Sequence, residues 1–534
     1  MRIRSRVMLV ASIVAASTLA LSGCAGGSGS TSASSSGKAS YATTTINTQL
    51  NTNPSTFDPN AGAAADDYTV ARVLFDSLLR KDANNKIIGG LASSYKTVSA
   101  SEYQFKIRTD ATCSDGTKIT PTIVKNSLEH FASPEVHSQF KSLAFGPGTP
   151  TFTADDSTHT LDLKLSSPWS EVPAGLTLAQ SGIICPAGLA DLSGLAKGTV
   201  KGAFSGPYTL TSAQPGVKYV MTLRSDYKAW PKFSKALPGV PAKTINWTLF
   251  KDYSTTANQL QSGDLDIGNV PDNNVTRFSS GDYSQTKTDW AGGYIIFNER
   301  QSSGSPFADS NPDAKKLRTA VAQALSRTAY NEASSNGRAT IYSSVASPKF
   351  ACINKDTSLL QKTNKSAAKK VLNGVHIRLA GTTLMVGGLN YVAEALRAAG
   401  ADVDLMAEDN ATWATRTTRQ PGIGTWDLTL MGDINAVGTA AASLTRVMGT
   451  DITAGGRNIG GADNEQGVAD LNKALAASTQ SEKCTDYQAA QKAMLNRVDV
   501  VPLAAIPANQ IQRPGFSISE FSNYLDPATM RITK

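Results

Sequence analysis

Beyond its first 21 residues, this 534-residue chain lacks any apolar run long enough to cross a bilayer, which excludes an integral membrane body. Histidine is scarce. The four residues His130, His137, His159 and His376 are scattered, and no C-x-x-C or paired Cys/His spacing occurs, so no metal site is indicated. Charged residues make up only 18% of the chain and form no dense Lys/Arg run, which argues against a nucleic-acid partner. There is no G-x-S-x-G elbow and no H-E-x-x-H helix. Two S-x-x-K matches, Ser93 to Lys96 and Ser366 to Lys369, stand without a K-T-G element, so acyl chemistry of the penicillin-interacting kind is unsupported. No internal repeat is visible. These absences lead to an expectation of no cofactor, no metal and no catalytic residue: a protein that is not an enzyme.

What is present begins at the N-terminus. Arg2, Arg4 and Arg6 precede an apolar run from Val7 to Leu21, followed by small residues, the pattern of a secretory signal. Leu21-Ser22-Gly23-Cys24 resembles the lipobox of bacterial lipoproteins, which implies cleavage after residue 23, lipidation of Cys24 and an extracytoplasmic life on the outer face of the cell membrane. Residues 24–40 are nearly all Gly, Ser, Ala and Thr. They cannot bury a core and read as a flexible tether. Loss of the three leader arginines takes the 51 basic residues to 48 against 43 acidic, a mild net charge of +5. The remaining length suits two or three domains. Cys113, Cys185, Cys352 and Cys484 form an even set in an exported chain, which suggests two disulfides with three connectivities open.

The body alternates strand and helix signals. Thr43 to Leu50 reads as a strand, Asp67 to Leu79 as a helix and Tyr103 to Ile107 as a strand. Thr120-Pro121 fits an N-cap with proline at the first helical position, and Val124, Leu128 and Phe131 follow on one face. Later, Val375 to Ala380, Gly388 to Ala399 and Val403 to Met406 read as strand, helix and strand, a parallel βαβ unit with Gly400 at the helix C-terminus. A further strand is expected over Trp426 to Met431. The pattern is α/β with at least two lobes.

Several motifs occur in one order that resembles the dipeptide/oligopeptide-binding proteins of ABC importers, solute-binding family 5. Leu74-Phe75-Asp76-Ser77-Leu78-Leu79-Arg80, Leu91-Ala92-Ser93-Ser94-Tyr95 and Tyr103-Gln104-Phe105-Lys106-Ile107-Arg108 match early segments of that family. Ser114-Asp115-Gly116-Thr117, Gly206-Pro207-Tyr208 and Leu260-Gln261-Ser262-Gly263-Asp264-Leu265-Asp266-Ile267 match its middle. Pro306-Phe307-Ala308-Asp309, the run Leu317 to Arg327, Trp426-Asp427-Leu428 and Val501-Pro502-Leu503 match its later parts. Most of these residues serve turns and helix cores rather than a ligand.

The resemblance implies a periplasmic-binding-protein-like two-lobe fold of cluster C type, with an inserted subdomain in lobe I. Lobe I maps to 41–290 plus 501–534, the insert to about 90–200 and lobe II to 291–500. Cys113–Cys185 and Cys352–Cys484 is the pairing that keeps each disulfide within one lobe. Family relatives close on a solute by hinge motion and present it to a permease and ATPase complex; a monomer is expected. A peptide ligand places its ammonium on a carboxylate, here Asp433, although Asp433-Ile434-Asn435-Ala436 departs from the usual context. Asn435 and Asn269 are further candidate ligand contacts, Trp413 and Trp426 candidate pocket walls, and Arg416 or Arg419 a candidate partner for a ligand carboxylate. Other ligands of the family, namely opines, sugars and metal complexes, stay open, as does a sensor role; a secreted hydrolase is the remote alternative.

Overall fold

Half-buried strands of this chain alternate, as in Glu102–Ile107, whereas Leu428–Asp433 is buried on both faces. The difference reflects where each strand lies in a computed structural model of the protein. It describes residues 41–534 apart from 63, 139, 251, 280, 419–421, 455, 522 and 523. The leader, the Gly/Ser-rich stretch and Cys24 lie outside the described residues. Residues 41–534 pack as one unit.

Ten strands form one mixed sheet, in the order Asp402–Glu408, His376–Thr382, Leu428–Asp433, Ser284–Phe297, Val500–Gln512, Ile267–Asn269, Thr45–Leu50, Thr244–Leu249, Lys218–Leu223, Tyr208–Gln214. His376–Thr382 runs parallel to both of its neighbours, as the βαβ reading requires. Its crossover helix is Val386–Ala398, followed by Gly400 at φ +87°. Thr45–Leu50 pairs in parallel with Thr244–Leu249 and Ile267–Asn269. The two ends of the sheet are joined by the antiparallel pair Ser284–Phe297 and Val500–Gln512.

That central pair is irregular at two points. Register shifts fall between Asp289 and Ala291 and between Gly292 and Tyr294. Opposite them stand Pro507, paired with Asp289, and Pro502, paired with Tyr294. Proline cannot donate to a ladder, so within a central strand it is tolerated where a bulge has already broken the pattern. Gly293 is required at the second bulge: a Cβ there would lie 2.4 Å from the Ala504 carbonyl oxygen.

A separate four-stranded antiparallel sheet, in the order Ala92–Ser99, Glu102–Ile107, Thr160–Leu165, Pro150–Asp155, sits between the first and later strands in sequence. Helix Pro121–Ala132 covers it with Val124, Leu128 and Phe131, and Thr120 Oγ1 accepts the Ile123 N–H at 3.4 Å. The helix expected over 67–79 is instead Ala65–Leu74. Phe75 turns extended, and Leu79–Lys81 pairs with Ile87–Gly89, so Leu78 and Leu79 are buried by an extended segment rather than by helical spacing. Both disulfides, Cys113–Cys185 and Cys352–Cys484, are formed in the expected pairing.

Candidate functional site

Helix Ala65–Leu74 organises the site. Its N-terminus is tied to the preceding loop by its own acids: Asp66 accepts the Thr52 N–H at 2.6 Å and the Asn51 N–H at 3.1 Å, and Asp67 accepts the Ser55 N–H at 2.7 Å. One face, with Val70, Val73 and Leu74, enters the core. Another face carries Ala65, Asp66 and Thr69, which line a cavity of about 390 Å³. On a neighbouring stripe of the same helix, Tyr68 and Arg72 line a second cavity of about 60 Å³. Leu525 borders both.

The larger cavity lies at the centre of the sheet. Thr48, Ile267 and Asn269 come from the first-half strands, and Thr288, Trp290 and Ala508 from the two joining strands. Ser334 and Leu384 reach it from the second half of the chain, and Leu384 is 72% exposed at its rim. Trp290 is the extra residue of the first bulge, so it has no partner across the ladder and its partly exposed ring is free to enter the cavity. Two buried polar atoms in the lining, Gln49 Oε1 and Trp247 Nε1, lack a hydrogen-bond partner among the described residues. Such atoms cost about 1–3 kcal/mol each if nothing satisfies them. Here they offer one acceptor and one donor to a solute.

Trp290 also borders a third cavity, of about 10 Å³, which contains Asp433 and Asn435. Asp433 is 2% exposed. Its Oδ1 lies 2.5 Å from Arg446 Nε, and its Oδ2 accepts from Ser443 Oγ at 2.6 Å. Burial and the Asp433 charge hold the Tyr294 hydroxyl well above its usual pKa. Asn435 is committed to a turn: its Nδ2 donates to the Thr439 carbonyl at 2.8 Å and to Ser443 Oγ at 2.9 Å, and its Oδ1 accepts the Gly438 N–H at 2.8 Å.

The residues singled out in the sequence thus fall into four groups. Asn269 lines the large cavity, with its Oδ1 accepting the Asn509 N–H at 3.1 Å. Asp433 and Asn435 are brought together, in a cavity too small for more than a water. Trp413 and Trp426 line neither cavity; both are buried in the core, Trp426 completely, and Trp413 Nε1 donates to Thr429 Oγ1 at 2.9 Å. Arg416 is engaged by Glu408, with Nε 2.9 Å from both carboxylate oxygens, and Arg419 lies outside the described residues. Sequence reasoning missed Trp290, Trp247 and Arg72. The only trace of the first is a large aromatic just ahead of Gly292-Gly293, a pair that interrupts the strand pattern.

Comparison with known proteins bears on the same architecture. The model of bacterial extracellular solute-binding proteins, family 5 (middle region), matches residues 86–454. A substrate-binding protein from Microbacterium hydrocarbonoxydans, solved with 4-hydroxybenzoate hydrazide, is 38% identical with a TM-score of 0.80, covering 92% of this chain and 100% of that one. The murein tripeptide binding protein MppA of Escherichia coli, 19% identical, superposes with a TM-score of 0.74 over 92% of this chain and 99% of that one. The probable D,D-dipeptide-binding periplasmic protein DdpA of Escherichia coli (strain K12) is 29% identical over 233 residues, 41% of this chain. That stretch spans only 42% of the curated relative's length. The shared fold is the two-lobe periplasmic-binding-protein type.

Proposed function

The chain belongs to the bacterial extracellular solute-binding proteins of family 5, and from that premise we propose that it is the capture component of an ABC importer, closing on one compact solute and handing it to a permease and ATPase complex. The lobes are 41–290 with 501–534 and 291–500, and the hinge is the pair Ser284–Phe297 and Val500–Gln512. The observation that carries this reading is the 390 Å³ cavity, which is walled by both joining strands and by residues from each half of the chain. A site built on the strands that connect two halves is closed or opened by any rotation about them, so a ligand that touches both halves shifts the population toward closure. Cavities of this size suit small molecules rather than long peptides.

The chemistry of the lining supports a solute with an aromatic or planar body and polar ends. Trp290 and Trp247 offer ring surface, and Trp247 Nε1 and Gln49 Oε1 offer a donor and an acceptor. The hydrazide held by the Microbacterium protein has this character. A peptide α-ammonium, by contrast, would have to displace Arg446 from Asp433. Binding without bond chemistry, a monomeric body, and a lipid anchor at Cys24 on the outer face of the membrane complete the proposal. The anchor would hold the protein near its permease at raised effective concentration.

Calorimetry on residues 24–534, titrated with 4-hydroxybenzoate hydrazide, a free dipeptide and its N-acetylated form, tests it. Saturable one-to-one binding of at least one of these, accompanied by a decrease in radius of gyration, is expected. Absence of any binding, together with an empty protein after release from its native producer, would overturn it.

A further inference from the structure

We propose that the captured solute is an acid, one carboxylate of which sits in the 60 Å³ cavity against Arg72. The inference deepens the solute-binding reading and rests on it. The small cavity shares Leu525 with the large one, and a single helix, Ala65–Leu74, walls both, so the two lie side by side. Its lining holds three cations, Arg72, Arg80 and Lys81, against one acid, Asp526. Arg80 is satisfied: it pairs with Asp526 and, at 3.4 Å, with Asp76. The other two are not. Arg72 donates to Ser77 Oγ at 3.2 Å and to the Thr177 carbonyl at 2.5 Å, and Lys81 donates to the Val437 carbonyl, all neutral acceptors. Among the described residues no carboxylate oxygen lies within 4 Å of either cation.

A third group faces the same space. Gln180 is 1% exposed, and its Nε2 has no hydrogen-bond partner among the described residues. The wall therefore presents a guanidinium, an ammonium and an amide N–H, all donors, with a shortage of negative charge. Burial and the nearby Arg80 push Arg72 down to about 10, and burial pushes Lys81 down to about 8. In both, burial outweighs the nearest carboxylates, Asp526 and Asp76 for Arg72 and Glu171 for Lys81, none of which pairs directly with the cation. A carboxylate fits the deficit: its two oxygens match the guanidinium fork and accept from the amide and ammonium as well. Phe521 and Leu525 give the small cavity an apolar wall, and Leu525 is the residue it has in common with the large one, where the body of the solute would lie. Ala436, which follows Asp433 in the other half of the chain, roofs the cavity beside the Val437 carbonyl, so closure would seal the acid in.

Matched acid and amide pairs test the inference: 4-hydroxybenzoate with 4-hydroxybenzamide, and an N-acetyl dipeptide with its C-terminal amide, each added to residues 24–534 and read by thermal shift and calorimetry. At least one acid is expected to bind at least 10-fold tighter than its amide. In Arg72→Gln the preference for the acid should vanish while the Tm of the unliganded protein does not fall, because an uncompensated charge has been removed; Arg72→Lys should retain part of it. Gln180→Met, which keeps the volume and removes the donor, should weaken the acid several-fold, and it remains decisive should Arg72→Gln fail to fold. Equal binding of acid and amide, or an acid preference that survives both Arg72→Gln and Gln180→Met, would overturn the inference. Binding of amides or of 4-hydroxybenzoate hydrazide without any acid would overturn it and leave solute capture standing. No binding by any compound, hydrazide included, would bring down both.

Discussion

Asp433 and Arg446 meet at 2.5 Å, acid to guanidinium, where strand Leu428–Asp433 ends beside the cleft. The acid is almost wholly buried, whereas the arginine side chain keeps 26% of its surface. Arg457, buried beside them, is pushed down to about 9 by burial and by Arg446, with Asp433 the charge that opposes the shift. One carboxylate thus serves two guanidinium groups. Replacing it by Asn leaves both without a counter-charge, and Asp433→Asn should cost about 3 kcal/mol of stability in urea melts. An unchanged midpoint would show that the pair contributes nothing to the fold.

The same geometry predicts a change of specificity. Arg446→Ala should expose the Asp433 carboxylate to the cleft and create affinity for a free α-ammonium. Dipeptides should then bind at least 10-fold tighter than their N-acetylated forms, about 1.4 kcal/mol, in calorimetry on the variant. No preference for the free amine would mean that Asp433 is out of reach of any solute.

Trp290 is a bulge residue with a partly exposed ring, so its truncation should separate binding from folding. Trp290→Ala is expected to weaken solute binding at least 10-fold while costing only about 1 kcal/mol of stability. A large loss of stability with unchanged affinity would place the ring in the core rather than at the ligand.

Lys81 gives a pH signature. Burial pushes it down to about 8 from the 10.5 of a free lysine, so between these limits the unfolded chain holds a proton that the folded one has lost. Stability from this group therefore rises as pH is raised from 8 to 10.5, by at most about 3 kcal/mol. Lys81→Met should lack that rise. Parallel stability-against-pH curves for the two proteins would rule out a depressed lysine.

The two disulfides close long loops, with sequence separations of 72 and 132. Chain-entropy reasoning assigns about 4 kcal/mol to Cys113–Cys185 and about 5 kcal/mol to Cys352–Cys484 as upper values. Double Ser variants compared in urea melts should rank in that order.

Local signals in the chain were sufficient for elements whose stability is local. Thr120-Pro121 starts its helix because a side-chain cap and a fixed φ act within one turn, and Gly400 follows the helix end because only its φ of +87° is at issue. The βαβ unit from His376 to Glu408 was equally legible, since the alternation of its strands and the apolar face of its helix are written in neighbouring residues. The helix end at Leu74 was not, because Leu78 and Leu79 are apolar at helical spacing yet buried by pairing with a strand further along.

Sequence alone determined the family and the α/β class, for these rest on residue type and order, whereas the disulfide pairing favoured by the family resemblance was settled by the structure. Tertiary structure decided the site. Trp290 reaches the cavity because a bulge frees it from the ladder, and Trp426 does not because it is buried in the core. Whether Asp433 is available depends on a guanidinium 13 residues away that folds back upon it. The Arg72 cavity is assembled from four separated stretches of chain, and its surplus of positive charge exists only once burial has removed the water that would otherwise neutralise it.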